Sequence, residues 1–385
     1  MIKEIALLSP IYVTFFWAIV FLVQKGAPIK AKTHLGLFMI IAFLLYCSHA
    51  VFFSGLYHLY SYIEGIYIFT MLSVYPMYYI YIIMVTTEKI DSKRKLSHFL
   101  PAILLSTISI IMTLVLTQEQ RIIYVQETLI EKNLKGLNLH TAVGIKGYIF
   151  FTSRLIFLVQ IVYYVVMGIK HAIDHNRRVS NYYSDVEGKM LNWVRDLNIV
   201  LLVVAVAGIA FTFIGRSYFT RNEVSLLIPS AIFSIVLFEI GFKGNQQLQI
   251  KEEILEDKRS SKNDKEDPDQ TEDLKIKILE LFESEKIYKK TDLRITTVSD
   301  SLKTNRTYIS RIINDEFSVN FNEFVNRYRI KEAKELLEKK DNNLFTMEHI
   351  AEKSGFGSVN SFTRVFKEFE GVTPGQYKNK ITTNG

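Results

Sequence analysis

Two short runs near the C-terminus repeat one pattern of polar and apolar side chains. Tyr308-Ile-Ser-Arg-Ile-Ile313 and Ser361-Phe-Thr-Arg-Val-Phe366 lie 53 residues apart, so that Arg311 falls on Arg364 and Ser310 on Thr363. Upstream, Val298-Ser299 falls on Ile350-Ala351 at an offset of 52, which leaves the second copy one extra residue in its Gly355-Phe356-Gly357 turn. In each copy the pattern predicts a short helix (296–302; 347–354), a turn, and a second helix opened by a capping residue, Asn305 or Ser358. Ile309, Ile312 and Ile313 match Phe362, Val365 and Phe366 as an inward face, while polar residues fill the helix start. That is the design of a helix-turn-helix, whose second helix enters the DNA major groove by its N-terminal end.

The element between the copies must set their spacing. Residues 321–339 carry apolar side chains at Phe321, Phe324, Val325, Tyr328, Ala333, Leu336 and Leu337. As one helix they span roughly 28 Å at about 1.5 Å per residue. Recognition helices held at its two ends can enter successive major grooves, about 34 Å apart.

These residues carry a family resemblance. Asn305-Arg-Thr-Tyr-Ile-Ser-Arg311, Phe321-Asn-Glu-Phe-Val-Asn-Arg-Tyr-Arg329, Ile350-Ala-Glu-Lys-Ser-Gly-Phe356, Phe362-Thr-Arg-Val-Phe-Lys367 and Gly371-Val-Thr-Pro-Gly-Gln-Tyr377 together resemble the AraC/XylS-type DNA-binding domain over about residues 293–378. The first copy departs from the family pattern. Ser299 stands where Ala is common, Lys303 and Ser318 where Gly is common, and Asn305 where Ser is common. The resemblance implies base-facing residues Arg306, Thr307, Ser310 and Arg311 in the first copy, and Val359, Asn360, Thr363 and Arg364 in the second. Arg is the commonest bidentate reader of guanine, and Asn reads adenine. Lys367 suits a phosphate. The alternative for Arg311 and Arg364 is a solvated helix face, or an ion pair at i,i+4 with Asp315 or Glu368. Residues 287–385 hold 17 Lys+Arg and 13 Asp+Glu, a mild positive balance for a nucleic-acid partner.

The rest of the chain is of another kind. Of 385 residues, 49% are apolar and 22% charged, but the charge is split. Residues 1–242 hold 20 Lys+Arg and 13 Asp+Glu, whereas the shorter 243–385 holds 26 of each. This excludes a single soluble globule. The one cysteine, Cys47, excludes a disulfide framework and a Cys-based zinc site. Seven stretches approach the roughly 20 apolar residues that cross a bilayer: 5–23, 35–57, 66–85, 99–116, 148–169, 197–214 and 224–242. The odd connecting loops carry 12 Lys+Arg and the even loops 6, which predicts odd loops in the cytoplasm, the N-terminus outside and the C-terminus inside.

Ionisable residues inside spans are functional candidates. Glu64 at the start of the third span and Arg154 in the fifth fall on the outer side of this topology, near His58, Tyr60 and Tyr62. They are expected either to pair and line a signal site, or to snorkel separately to the interface. His171, Asp174 and His175 have helical spacing for a metal pair but no convincing third ligand, and are expected to form a solvated face.

Residues 243–255 read as a helix leaving the seventh span. Leu248 and Leu255 are seven apart, a weak hint of a dimerising stalk, and 256–273 read as a charged linker. No phosphate-binding Gly-Lys loop, dinucleotide Gly motif or His-Glu-x-x-His occurs. The expected fold is all-α: a seven-transmembrane-helix bundle over 1–242, a link over 243–273, and a soluble double helix-turn-helix over 274–385.

The expected function is a membrane-bound one-component transcriptional regulator, not an enzyme and without a cofactor. It would sit in the cell (inner) membrane with its DNA-binding domain in the cytoplasm. The expected partners are promoter double-stranded DNA, the lipid bilayer, RNA polymerase and a second copy of the chain, with a signal ligand the sequence does not name. A transporter or intramembrane enzyme with a regulatory tail would need polar groups converging at mid-bilayer, where the spans offer His49, Gln160 and scattered Ser and Thr. Passive anchoring needs only the spans.

Overall fold

The computed structural model describes residues 2–23, 30–86, 92–131, 138–202, 218–219, 223–247, 268–339 and 345–384. Among these the regular elements are helices, with one isolated antiparallel bridge between Tyr183 and Arg294. The chain forms two compact units. The first comprises Met1–Ile173 and Leu191–Ile250, the second Asp174–Met190 and Lys251–Gly385. The segment 174–190 therefore belongs with the C-terminal unit, although by sequence it falls within the apolar two-thirds of the chain.

In the first unit, α1 (Ile2–Val23), α2 (Lys30–Phe53) and α3 (Tyr57–Val85) are followed by α4 (Ser92–Ser97), α5 (Leu100–Val115) and α6 (Gln118–Ile123), which runs on as a π-helical segment, Tyr124–Ile130. Then come α7 (Ala142–Tyr182), α8, described over 192–202, and α9 (Leu227–Gln246). Helix α3 is the central post: 83% of its most apolar window is buried, against 28–44% in α1, α2, α7 and α9. Phe38, Tyr78 and Ile82 pack in one core cluster, and Phe52, Tyr67, Tyr124 and Phe150 in another. Helix α9 meets α1 so closely that a Cβ on Gly241 would lie 2.3 Å from the Trp17 ring.

The outer helices turn large apolar residues outward. Phe15, Phe16 and Ile19 of α1, Leu155, Val159 and Val166 of α7, and Ile228, Ile235 and Phe238 of α9 are all exposed. Among the described residues, five helices are long and apolar enough to cross a membrane: α1, α2, α3, α7 and the helix ending at Gln246. Helix α5 has 16 residues and is shorter. Most of the sixth expected span, 197–214, lies outside the described residues, as do Leu248, Leu255 and most of the linker.

The second unit continues with α10 (Pro268–Glu283), a 3-10 turn Ile287–Lys289, α11 (Ile295–Ser301), α12 (Arg306–Phe317), α13 (Phe321–Glu338), α14 (Met347–Lys353), α15 (Val359–Glu370) and α16 (Pro374–Asn384). Helix α13 is the axle. Its first half packs Phe324 against Phe282 and Phe317, with ring centroids 4.9 Å apart in each pair. Its second half buries Ile330, Ala333 and Leu337 with Ile350, Phe362 and Phe366. Both recognition helices are therefore fixed to one rigid rod of 18 residues.

Candidate nucleic-acid interface

Helix α12 opens at Asn305, whose Oδ1 accepts from the Thr307 N–H at 2.9 Å. Helix α15 opens at Ser358, whose Oγ accepts from the Ser361 N–H at 3.0 Å. Each cap satisfies a backbone donor that the first helical turn leaves free. Ile309, Ile312 and Ile313 in the first copy, and Phe362, Val365 and Phe366 in the second, are buried. That burial fixes the rotation of both helices and leaves the polar side chains on the opposite arc.

Two of the departures from the family pattern, Lys303 and Ser318, fall at turns with left-handed backbone. Gly355 has φ of +88°, and a Cβ there would lie 2.4 Å from the Tyr288 carbonyl oxygen, so only glycine fits. Its counterpart Lys303 has φ of 50°. Likewise Gly371, with φ of +74°, closes α15 where Ser318, with φ of 55°, closes α12. The first copy holds two side chains in the left-handed region that the second gives to glycine.

The expected base-facing residues, with the expected phosphate contact Lys367, divide into three groups. Thr307, Asn360, Arg364 and Lys367 are exposed, and Arg306, Ser310, Arg311 and Thr363 are half-buried. Val359 packs instead against the core formed by Ile330, Ile350, Phe362 and Phe366. The Arg364 guanidinium lies 3.9 Å from Glu368, with both side chains more than half exposed, and such a pair contributes little and yields readily to phosphate or base. Arg311 stacks over Tyr308 at 5.2 Å and Arg306 over Tyr182 at 5.3 Å. Arg306, Thr307, Ser310 and Arg311 share a cleft of about 870 Å³ with Arg177 and Arg178.

Sequence reasoning missed Arg329, which is 1% exposed. It donates to the Tyr288 and Lys290 carbonyls at 2.9 and 2.7 Å and to Ser184 Oγ at 3.2 Å. Burial pulls its pKa down to about 10, against the opposing pull of Asp185, so it stays charged at neutral pH. On the next turn Glu332 accepts from Lys289 at 2.7 Å, Tyr288 at 2.8 Å and Lys286 at 3.0 Å. Burial pushes its carboxyl pKa up, but these donors outweigh it and hold the value at about 2.

In the first unit, the two ionisable residues of the expected signal site do not pair with each other. Glu64 pairs with Lys146 at 3.1 Å, both side chains fully buried, and accepts from Tyr124 OH at 2.7 Å. Lys146 also donates to Thr113 Oγ1 at 2.5 Å. Arg121 donates to the Thr113 and Leu116 carbonyls and to Tyr62 OH at 2.7 Å, which joins Tyr62 to the same cluster. Arg154 donates to Tyr67 OH instead. His58 packs on Tyr62, and Tyr60 on Phe52. Lys146 escaped notice because it reads as the end of a loop. The usable signal was Thr141, whose Oγ1 accepts from the Gly144 N–H at 3.0 Å and so starts α7 before Lys146.

Comparison with known proteins places the C-terminal unit. Residues 298–380 match the family model described as a helix-turn-helix domain. The "Uncharacterized HTH-type transcriptional regulator YtdP" of Bacillus subtilis (strain 168) is 34% identical over 89 residues, 23% of this chain and 11% of that protein. The "Regulatory protein PocR" of Salmonella typhimurium is 32% identical over 93 residues, 24% of this chain and 30% of that protein. The "Uncharacterized HTH-type transcriptional regulator YfiF" of Bacillus subtilis (strain 168) is 38% identical over 87 residues, 23% and 26% of the two chains. This chain thus spans less than a third of the length of each. The matched residues form a helix-turn-helix domain of the kind found in those transcriptional regulators, a fold whose second helix docks in the major groove of double-stranded DNA.

Proposed function

We propose that this chain is a membrane-bound transcriptional regulator that reads promoter DNA through α12 and α15 and takes its signal through the first unit. The observation that carries the DNA-reading part is the pair of capped recognition helices on one 18-residue axle, within the residues that match the helix-turn-helix family. Their spacing suits two successive major grooves on one face of a duplex. Selection from random duplexes by the purified full-length protein in lipid nanodiscs tests it. Two short conserved elements about one helical turn apart should be enriched; no enrichment over random duplex contradicts it.

The membrane part rests on the outward apolar surfaces of α1, α7 and α9. Exposed apolar area of this extent is unfavourable in water and suits hydrocarbon. With the loop charges of the sequence, the N-terminus lies outside and the DNA-binding unit in the cytoplasm. Sensing is favoured over passive anchoring by the Glu64–Lys146 pair. An anchor has no need of a fully buried ion pair, which is costly unless its geometry is kept. RNA polymerase and a second copy of the chain complete the proposed partners.

A further inference from the structure

The end of α7 and the loop after it belong to the second unit, and between them they touch both recognition helices where they begin. Ser184 anchors it. Its N–H donates to the Leu293 carbonyl at 3.0 Å, and its carbonyl accepts from Asn322 Nδ2 at 2.6 Å. To one side, the Tyr182 ring lies under the guanidinium of Arg306, the first residue of α12. To the other, the Glu187 carboxylate accepts from the hydroxyl of Ser358, the cap of α15, at 3.3 Å. Asp185 stands beside Gly357, with Oδ2 3.7 Å from where a Cβ would be.

The helix starts that the loop touches are the parts that must enter DNA. A recognition helix works by sinking its first turns into a groove about 12 Å wide. Tyr182 occupies that face of α12. Asp185 and Glu187 bring negative charge to the start of α15, where a helix N-terminus otherwise receives phosphate. The duplex and the loop thus need the same surface.

We infer that residues 182–187 form an autoinhibitory strap, which holds the starts of α12 and α15 and must leave before the protein binds DNA. This rests on the DNA-reading function proposed above. The strap hangs from the end of α7, one continuous helix from Ala142 to Tyr182 that also carries Lys146 of the buried pair. A signal that moves α7 has a direct handle on the strap. The polar residues Arg177 and Arg178, one to two turns back on α7, then become available to duplex phosphates once the strap is released.

The test uses the full-length protein in nanodiscs with Cys47→Ser, Asp185→Cys and Gly357→Cys, bridged by a short, reductively cleavable bis-thiosulfonate. Gly357 lacks a positive φ, so a cysteine is accommodated there. Bridging should lower affinity for the selected duplex by tenfold or more, on the order of a 1.4 kcal/mol loss, and cleavage should restore it. In a second arm, Tyr182→Ala, Asp185→Ala and Glu187→Ala together should raise the affinity of the full-length protein by about tenfold. Bridged protein that binds as tightly as cleaved protein overturns the strap, as does a triple variant that binds no more tightly than the parent. A cysteine pair that does not bridge contradicts the contact itself. If neither cleaved protein nor triple variant prefers any duplex, the DNA-reading function falls with it.

Discussion

At the scale of single residues, Arg364 and Lys367 should separate two kinds of DNA contact. Arg364→Ala should cost about 1–3 kcal/mol at one base position and relax the preference there. Lys367→Ala should weaken all duplexes alike and lower the salt slope by about one. Binding to single-base variants of the selected site, across a salt series, distinguishes them, and identical behaviour of the two variants contradicts the assignment. In the first unit, Glu64→Ala leaves the Lys146 ammonium buried without its carboxylate, a loss of about 3–5 kcal/mol. Glu64 and Lys146 substitutions should be strongly non-additive in thermal stability, while Arg154→Ala adds independently to Glu64→Ala. Additivity of the first pair would dissolve the cluster. Glu332 gives a pH test. Its folded pKa of about 2 lies below the ordinary carboxyl value, so its stabilisation is fully present above about pH 4.5 and is lost as pH falls through 2. The calorimetric gap between the parent and Glu332→Gln should be constant near neutrality, shrink below that pH and close near pH 2. A gap unchanged at pH 2 assigns the effect to packing.

At the scale of elements, the two helix-turn-helix copies differ most in their turns. Lys303 and Ser318 hold left-handed backbone with a side chain in place, a conformation that costs roughly 1–2 kcal/mol outside glycine. Lys303→Gly should stabilise the second unit by up to about 1 kcal/mol, the strain relieved less the extra freedom of the unfolded chain. Gly355→Ala should destabilise it by about 2–3 kcal/mol, since a Cβ meets the Tyr288 carbonyl. Chemical denaturation measures both, and opposite signs contradict the backbone description. The repeat was legible because its signals are local: a cap, a helical period and a Gly turn recur at fixed spacing in each copy. The strap was not. Tyr182–Glu187 has no period and no motif, and its partners lie more than a hundred residues away. Arg329 was passed over for a similar reason, because a charged residue on a helix reads as solvated until the carbonyls that surround it are known.

At the scale of the whole molecule, one chain carries an apolar helical bundle and a helix-turn-helix unit. The outer apolar faces were legible as long uncharged runs, but the partner of Glu64 depended on where α7 begins, which composition does not mark sharply. Orientation is testable with Leu139→Cys and Asn379→Cys in a Cys47→Ser background. An impermeant thiol reagent added to intact cells should label the first and spare the second; the reverse places the DNA-binding unit on the wrong side for any duplex. The central claim is that the intact, membrane-held chain reads specific DNA through both recognition helices. The most direct measurement is sequencing of DNA co-precipitated with the full-length protein from cross-linked membranes, for the parent and for Arg311→Ala with Arg364→Ala at equal protein levels. The account predicts a small set of promoter sites in the parent that share a two-part motif and vanish in the double variant. A parent profile indistinguishable from that of the double variant would contradict it.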